Sequence, residues 1–598
     1  MSGKARTRGE IEARYKWKLE DIYSHEEDWE KDFSELKNQV QELEKHMGTL
    51  GESAEKLLSA LTLLEKVNRM IEALFVYAKM RKDEDNTNSH YQTLFDRAQG
   101  IMVQVGSATS YVVPEIIAIP EEKLQEFMAQ NQDLELYRKF FDELLRQKEH
   151  ILSSAEEKIL AMSADLSIAP KNIFSMFNNA DIKFPVIKDE NGDEVELTKG
   201  RYGRLMESSD RRVRKEAFEG LYGSYTRMRN TLASTLSSSV KTDIFYSRAR
   251  KYGSALQASL DQDNISPEVY DNLIKSVHNN LDHMYRYMKL RKKMLELDEL
   301  HMYDIYTPLV KEFKLEVDYE EAKNKVLQGL APLGSDYLSE LKKGLESGWI
   351  DVYENEGKTS GAYSWGSYDS HPYVLLNYDN KLDDVFTLAH EMGHSMHTYY
   401  SNKAQPYIYS QYTIFVAEVA STVNESLLID YLLKNSTDPR EKMFLINHYL
   451  EQFRGTVYRQ TMFAEFEKIV HEQVEAGQAL TPEALSQIYR DLNALYYGPE
   501  VVLDKEIDME WARIPHFYSA FYVYKYATGF SAATAIKEMI MEEGQPAVDR
   551  YLEFLSSGSY DYPVSLLQKA GVDLTTPQPV DKALQYFGSL VSELEAMI

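Results

Sequence analysis

Two long stretches with apolar residues at intervals of three and four constrain the fold more than any other feature of the sequence. AEKLLSALTLLEKVNRMIEALFVYAKMRKDED and YRKFFDELLRQKEHILSSAEEKILAMSADL both show this spacing, which is typical of amphipathic helices that pack against one another. Helix-breaking residues are few, with 28 Gly and 17 Pro in 598 residues. The sequence therefore predicts a mostly α-helical protein, too long for one simple core, with two or more lobes or one large body with a cleft.

Two segments interrupt the helical pattern with short β-like runs. In the first, Ile182–Ile187 and Glu194–Leu197 flank an Asn191-Gly192 turn, which predicts a β-hairpin. The second, GAYSWGSYDSHPYVLLNYDN at 361–380, is aromatic and β-branched and is punctuated by Gly and Pro. We place a domain boundary at the hairpin, which divides the chain into 1–185 and 186–598.

Charge and cysteine content exclude several classes of function. The formal net charge is −28, which argues against a nucleic-acid-binding protein and against binding to an anionic membrane surface. The chain has no Cys, so a metal site must use His and carboxylate ligands. Neither an apolar leader nor a run of 18 apolar residues is present, so we expect a soluble cytoplasmic protein.

The sequence HEMGH contains His390, Glu391 and His394. Helical spacing places the two histidines one turn apart on one side, where both can bind one metal ion. Glu391 lies about 100° around the helix, from where it can reach a water on that ion. Composition alone predicts roughly 0.03 chance matches to HExxH in this chain. The helix is expected to begin at an Asn380 cap with Asp383 three residues on, and to bury the apolar residues Leu382, Val385, Phe386, Ala389, Met392 and Met396.

A zinc site needs a third protein ligand. The pattern HExxHxxGxxH fails because residue 400 is Tyr, so His397 is interpreted either as structural or as a residue that supports a metal ligand. The helical stretch QYTIFVAEVASTVNESLLIDYLLK offers Glu418 and Glu425 on one face. A carboxylate in FVAEVA is costly to bury unless it is paired or metal-bound, so Glu418 is the predicted ligand, and Gly393 is expected to let its helix approach closely. Glu425 is either an acceptor for a ligand histidine or a surface charge.

HEMGHSMH followed by FVAEVASTVNE resembles the thimet oligopeptidase and oligoendopeptidase family of zinc peptidases. YKWKLEDIYSHEEDW, GAYSW and WARIPHFYSAFYVYKYATG are most similar to its oligoendopeptidase branch, and the likeness runs from about residue 15 to near the C-terminus. The resemblance implies one zinc ion held by His390, His394 and Glu418, with Glu391 as general base. It also implies a two-lobed helical body around a deep central channel that admits short unstructured peptides, with 186–598 as the catalytic domain.

The same resemblance assigns transition-state donors to His516, Tyr522 and Tyr526, of which the two tyrosines are expected one helical turn apart. The thimet branch has a further Tyr where this chain has Gly529, so Tyr518 or Tyr524 is a substitute candidate. Core packing is the alternative role for each of these tyrosines. The residues Gly361, Ala362 and Tyr363 are expected either to form an edge strand that pairs with a peptide backbone or to form a plain hairpin.

Two other classes of function remain open at the level of sequence. An aminopeptidase is disfavoured because no GxMEN-like stretch is present, whereas a carboxypeptidase is compatible with the sequence. A peptide-binding protein with an inactive site is disfavoured because Glu391 is intact. The sequence leaves homo-oligomer formation open. The predicted function is therefore a zinc-dependent endopeptidase that hydrolyses internal bonds of short peptides.

Overall fold

The computed structural model describes residues 6–310 and 316–598. Most of this part of the chain is α-helical, with short 3-10 and π-helical turns between the α-helices. The helices are α1 (Glu26–Glu44), α2 (Ala54–Glu84), α3 (Ser89–Thr109), α4 (Val112–Ala118), α5 (Glu121–Gln130), α6 (Arg138–Arg146), α7 (Ser154–Met162), α8 (Ala164–Ser167), α9 (Ala169–Met176), α10 (Lys199–Met206), α11 (Arg211–Thr226), α12 (Arg229–Ala249), α13 (Ala255–Asp261), α14 (Pro267–Asn279), α15 (Leu281–Met294), α16 (Tyr319–Gly329), α17 (Gly334–Glu346), α18 (Leu382–Ala404), α19 (Tyr407–Ser410), α20 (Ile414–Asn435), α21 (Pro439–Phe453), α22 (Arg459–Glu475), α23 (Pro482–Tyr497), α24 (Tyr524–Glu543), α25 (Gln545–Leu555), α26 (Pro563–Lys569) and α27 (Gln578–Ala596).

The strands are short and form three small sheets among the described residues. They are β1 (Val186–Lys188), β2 (Glu194–Glu196), β3 (Leu300–His301), β4 (Ile350–Asp351), β5 (Tyr363–Trp365), β6 (Tyr373–Leu375) and β7 (Val501–Val502). Strands β1 and β2 form the predicted antiparallel hairpin, in which Gly192 takes the positive φ that the turn requires. Strand β3 pairs with β7 in parallel, and the third sheet has the order β4-β6-β5. The predicted mostly helical fold with small β elements is confirmed.

The chain forms two compact units, each assembled from three segments. One unit consists of the described parts of 1–149, 314–431 and 536–571, and the other of those of 150–313, 432–535 and 572–598. These boundaries differ from the predicted division at 185/186. That division concerns an N-terminal lobe and a catalytic domain, and it stays a prediction.

In the first unit, helices α1, α2 and α3 pack together and share a core with the small sheet. Tyr373 and Leu375 of β6 are fully buried in the same cluster as Trp17, Leu74 and Tyr77. The ring of Trp17 meets that of Tyr373 edge to face, with centroids 6.2 Å apart. The sheet is thereby anchored on the amino-terminal helices.

In the second unit, α14, α15, α21 and α22 pack around a core to which α27 contributes. Phe453 of α21 meets Phe587 of α27 with ring centroids 5.6 Å apart. Helix α14 begins as predicted, because the Ser266 side chain accepts the N–H of Glu268.

One described segment, Ser89–Ala118, is long and apolar enough by composition to cross a membrane, with a mean hydropathy of 1.3. It consists of α3 and α4 with a break between them, and α3 packs against α1 and α2. Core helices of soluble proteins often have the same length and composition, so the segment is weak support for a membrane span.

Candidate active site

Helix α18 carries the HEMGH motif and buries one face. The six predicted apolar positions, from Leu382 to Met396, are all buried. The predicted helix start is wrong in detail. Asn380 is in the left-handed region (φ 59°), and it is Asp384, not Asp383, whose side chain accepts the backbone N–H groups of Asp379 and Lys381, at 2.9 Å each. An acidic residue still satisfies the amino-terminal backbone groups.

The first unit brings His390, His394 and Glu418 together. The two imidazole Nε2 atoms are 3.1 Å apart. Oε2 of Glu418 lies 3.4 Å from Nε2 of His390 and 3.6 Å from Nε2 of His394. Among the described residues this is the only group of three or more such side chains that can hold a metal ion.

These separations fit one small tetrahedral cation. Zinc bonds of 2.0–2.2 Å to N and O in tetrahedral geometry place neighbouring ligand atoms about 3.3 Å apart. The three observed distances bracket that value. The donor set, two imidazoles and one carboxylate, is also one that zinc accepts in catalytic sites.

Gly393 brings the two helices into backbone contact. A Cβ atom at this position would lie 2.5 Å from Cα of Ser421 and 2.8 Å from the carbonyl oxygen of Ala420, both on α20. The predicted close approach is confirmed. A hydrogen bond also joins α20 to α18, because the buried side chain of Asn424 donates to the carbonyl oxygen of Ala389 at 3.0 Å.

The carboxylate of Glu425 hydrogen bonds with Nδ1 of His390. This contact orients the ring so that Nε2 points toward His394 and Glu418. Burial lowers the pKa of His390, but hydrogen bonds with Glu418 and Glu425 outweigh it and raise that pKa to about 10. Burial, together with His390, lowers the pKa of His394 to about 4. The carboxylates therefore stabilise one positive charge at this point of the structure.

Glu391 is buried and has a strongly perturbed carboxyl group. Burial raises its pKa to about 7, with further upward contributions from the charges of Glu418 and Glu425. The charge of His390 and the backbone N–H of Ser364 act in the opposite direction. A carboxyl group that titrates near neutral pH is suited to general acid–base chemistry.

His397 packs in the core of the first unit. It is 1% exposed, and its ring stacks on that of Tyr412 with centroids 3.6 Å apart. Burial, and to a smaller extent His394, lowers its pKa to about 3, so the ring is neutral at physiological pH. The packing fits the predicted structural role.

Strand β5 forms the edge of its sheet. It pairs with β6 on one side, and among the described residues it has no second strand neighbour. The strand covers Tyr363–Trp365, so Gly361 and Ala362 lead into it rather than form it as predicted. Ser364 also hydrogen bonds through its hydroxyl to Ser395 of α18 at 2.8 Å, which joins the edge strand to the motif helix.

Asp83, at the end of α2, is a contributor that the sequence did not reveal. It is 2% exposed and accepts hydrogen bonds from the hydroxyls of Tyr363 and Thr359, at 2.8 Å each. The ammonium group of Lys79 donates to both oxygen atoms of the same carboxylate, with a distance of 2.6 Å to Oδ1. The sequence gives no signal for this burial, because Asp83 stands in the charged run RKDED at the end of the helical stretch.

In the second unit, His516, Tyr522 and Tyr526 form a cluster of half-buried rings. The centroid of His516 is 6.1 Å from each tyrosine ring, and the two tyrosines are 5.5 Å apart. Burial, and to a smaller extent Arg459, lowers the pKa of His516. Tyr522 and Tyr526 do not share a helical turn as predicted, because α24 begins at Tyr524.

The two substitute candidates pack against other rings of the second unit. Tyr518 stacks on Phe174 with centroids 4.4 Å apart, and Tyr524 is fully buried beside Tyr270 with centroids 5.0 Å apart. Both contacts fit the core-packing alternative.

Comparisons with known proteins cover nearly the whole chain. A model of peptidase family M3 matches residues 204–586, and an Oligopeptidase F model matches residues 115–184. The chain is 50% identical to Oligopeptidase PepF of Bacillus subtilis over 99% of this chain and 88% of that protein. A crystal structure of oligoendopeptidase-F from Enterococcus faecium, 40% identical, has a TM-score of 0.74 over 96% of this chain and 99% of that one. A crystal structure from Chlamydophila abortus, 36% identical, reaches 0.94 over both chains in full. These matches indicate a metalloendopeptidase that acts on oligopeptides, and the chain belongs to peptidase family M3.

Proposed function

We propose that the protein is a zinc-dependent endopeptidase whose metal ligands are His390, His394 and Glu418. The observation that carries the proposal is the set of separations of 3.1, 3.4 and 3.6 Å between their donor atoms. The Glu425 contact supports it, since ligand histidines usually hydrogen bond a carboxylate through their second nitrogen. When bound, zinc would acidify a water molecule and polarise the scissile carbonyl.

Glu391 acts as the general base in this proposal. It accepts the proton of the attacking water and passes it to the leaving amine, which needs a group that both takes and gives a proton near neutral pH. Its pKa of about 7 fits both steps. The backbone N–H of Ser364 lowers this pKa and so favours the ionised form, which is the form that accepts the proton.

His516, Tyr522 and Tyr526 are the proposed donors to the oxygen that gains charge as the peptide carbonyl is attacked. The family resemblance assigns this role, and the mutual proximity of the three rings supports it. A neutral phenol donates a hydrogen bond without the desolvation cost of a charged group.

Substrate binding is proposed to use the edge of β5, with Gly361, Ala362 and Tyr363 at its start. An extended peptide can pair with the free edge through main-chain hydrogen bonds, which give affinity without reading side chains. The left-handed φ of Gly361 (87°) and the open space at its Cβ position leave the approach to this edge clear.

The proposed substrates are short unstructured peptides in the cytoplasm. The family resemblance implies that they reach the metal site through a deep channel. An extended peptide can enter such a channel and pair with an edge strand, whereas a folded protein presents no free extended segment. Nucleic acid is not a proposed partner, because the formal net charge is −28.

The test is cleavage of a peptide mixture, in which some members are blocked at both ends, with products identified by mass spectrometry. We expect internal cleavage of the blocked peptides, loss of activity with a chelator, and recovery with zinc. Cleavage only of peptides with a free carboxyl terminus would identify a carboxypeptidase instead. Activity that survives full metal removal would contradict the proposal.

A further inference from the structure

A buried glutamate of the second unit, Glu467 on α22, contacts the segment that carries the proposed donors. We propose that Glu467 is a positioning residue that holds the backbone at Phe521 in the conformation that presents Tyr522. The inference rests on the proposed role of Tyr522 in transition-state stabilisation. It adds a residue outside the ring cluster to the groups on which turnover depends.

The backbone at Phe521 is in an unfavourable region. Its φ is 56°, in the left-handed region that L-residues with bulky side chains rarely adopt. Five non-glycine residues of the described chain have positive φ, and Phe521 is the only aromatic one. Such a conformation persists only where surrounding contacts enforce it.

The side chain and the amide of Phe521 supply those contacts. The ring is 1% exposed and packs against His471 of α22 and Tyr270 of α14, with centroids 4.6 and 5.9 Å away. The backbone N–H donates to Oε1 of Glu467 at 3.1 Å. One helix therefore holds both the ring and the amide of the strained residue.

Apart from the Phe521 amide, the surroundings of Glu467 give no reason for a carboxyl group at this buried position. The residue is 1% exposed, and its Oε2 atom has no hydrogen-bond partner among the described residues. Burial raises its pKa well above the usual range and the charge of Asp243 adds to that rise, whereas the backbone N–H of Phe521 acts in the opposite direction. Leu would fill the space at a lower desolvation cost. What an apolar side chain could not supply is the acceptor for the Phe521 amide.

The left-handed backbone at Phe521 precedes the one accessible side chain in a buried stretch. Phe521, Val523 and Tyr524 are buried, whereas Tyr522 between them is half-buried. On the amino-terminal side, the N–H of Ser519 donates to the carbonyl oxygen of His516 at 2.8 Å, which fixes the preceding turn. On the other side, the carbonyl oxygen of Tyr522 accepts the N–H of Lys525. Rotation at Phe521 would therefore displace Tyr522 relative to His516.

Two substitutions of Glu467 distinguish the effect of its hydrogen-bond acceptor from the effects of its ionisable group and of its side-chain volume. Glu467→Gln keeps a carbonyl acceptor at the same reach, so we expect kcat within about twofold of the unmodified enzyme. Glu467→Leu keeps the volume but removes the acceptor. A misplacement of about 1 Å costs up to about 10²-fold, so we expect kcat to fall by about 10 to 10²-fold with little change in KM. Equal kcat in the folded Gln and Leu variants would overturn the inference.

A double-mutant cycle tests whether Glu467 acts through Tyr522. Tyr522→Phe alone should lower kcat by roughly 10²–10³. If Glu467 acts by placing Tyr522, then Glu467→Leu in the Tyr522→Phe background should cost less than about threefold more. Losses that multiply would show that Glu467 acts elsewhere and would overturn the inference. A wild-type kcat in Tyr522→Phe would instead remove the proposed role of Tyr522 itself.

Hydrogen exchange provides a readout that is independent of activity. The amide of Phe521 should be protected in the unmodified protein and in Glu467→Gln, and should exchange faster in Glu467→Leu. Val470→Ala, a buried apolar truncation on the same helix, is the control and should lower stability without changing kcat. If Glu467→Leu fails to fold, Glu467→Asp withdraws the acceptor by one methylene. Full activity and full Phe521 protection in that variant would also overturn the inference.

Discussion

The hydroxyl of Tyr363 donates a hydrogen bond to Oδ2 of Asp83 at 2.8 Å, between residues 280 positions apart in the sequence. The contact joins the last turn of α2 to the first residue of the edge strand. Thr359 binds the other oxygen atom of the same carboxylate, so both the strand and the loop that enters it are fixed by one side chain.

Asp83→Asn should weaken peptide binding more than turnover. The substitution weakens two hydrogen bonds to a charged acceptor, each worth about 1.5–3 kcal/mol, and so loosens the edge strand. Because the strand is proposed to bind substrate and transition state alike, we expect KM to rise about 5- to 30-fold with kcat nearly unchanged. Steady-state kinetics on a blocked peptide give both constants. Tyr23→Phe is the control, since it removes a Tyr–Asp contact with Asp32 elsewhere in the unit. An equal rise in KM in that control would attribute the effect to general destabilisation.

Glu391→Gln should abolish most turnover without loss of metal. The amide cannot accept the proton of the attacking water, and general acid–base catalysis contributes about 10²–10⁴ to the rate. The metal content, measured by inductively coupled plasma mass spectrometry, should match that of the unmodified protein, because Glu391 is not a proposed ligand. Activity within about tenfold of the unmodified enzyme would remove Glu391 from the mechanism.

Glu425→Gln should lower metal affinity while the fold is retained. Partners of ligand histidines contribute about 10- to 100-fold to affinity, since they fix the orientation and basicity of the ring. Competition with a chelator of known affinity measures the change, and added zinc should restore activity. Glu418→Gln, which removes a proposed ligand, should show a larger loss. Equal affinity in Glu425→Gln and the unmodified protein would make the His390 contact incidental.

Gly393→Ala should destabilise the protein through a backbone clash. The new methyl group would meet Cα of Ser421 at 2.5 Å, and such overpacking typically costs about 1–3 kcal/mol. We expect a lower Tm and weaker metal binding, because α20 carries Glu418. Gly106→Ala is the matched control, since nothing lies within 4 Å of its Cβ position on α3 and alanine favours the helix. A Tm in Gly393→Ala equal to that of the control would contradict the close contact.

Stability at low pH should depend on Glu510 of the second unit. Burial raises the pKa of this carboxyl, but the charges of Arg459 and Arg513 outweigh burial and lower it to about 2. A folded-state pKa below the unfolded value contributes stability that is fully present above about pH 4.5 and is lost as the pH falls toward 2. Urea unfolding at several pH values should show this loss. The Glu510→Gln variant should have a lower free energy of unfolding near pH 7. It should also lose less stability than the unmodified protein between about pH 4.5 and 2. Parallel pH curves for the two proteins would rule out the contribution.

The cluster of His390, His394 and Glu418 could be predicted from sequence because each part has a local signal. His390 and His394 are one helical turn apart, and Glu418 is a carboxylate inside an apolar stretch that must be compensated. The contacts of Asp83 with Tyr363 and of Glu467 with Phe521 had no such signal, since their partners are distant in sequence. The N-cap at Lys381, the residue before α18, was missed because Asn380 adopts a left-handed φ, which depends on the path of the chain.

The segmented construction of the first unit has a consequence for the order of folding during synthesis. Helix α18 is covered by residues from the last segment, in which Phe554 lies against His397 and the carbonyl oxygen of Ser556 accepts from Gln405. Ser559 likewise donates its N–H to the carbonyl oxygen of Tyr409. A ribosome makes these residues some 150 positions after the helix they cover. Because chains fold as they emerge, the nascent peptidase remains incompletely packed around α18 until residues 554–559 have left the ribosome.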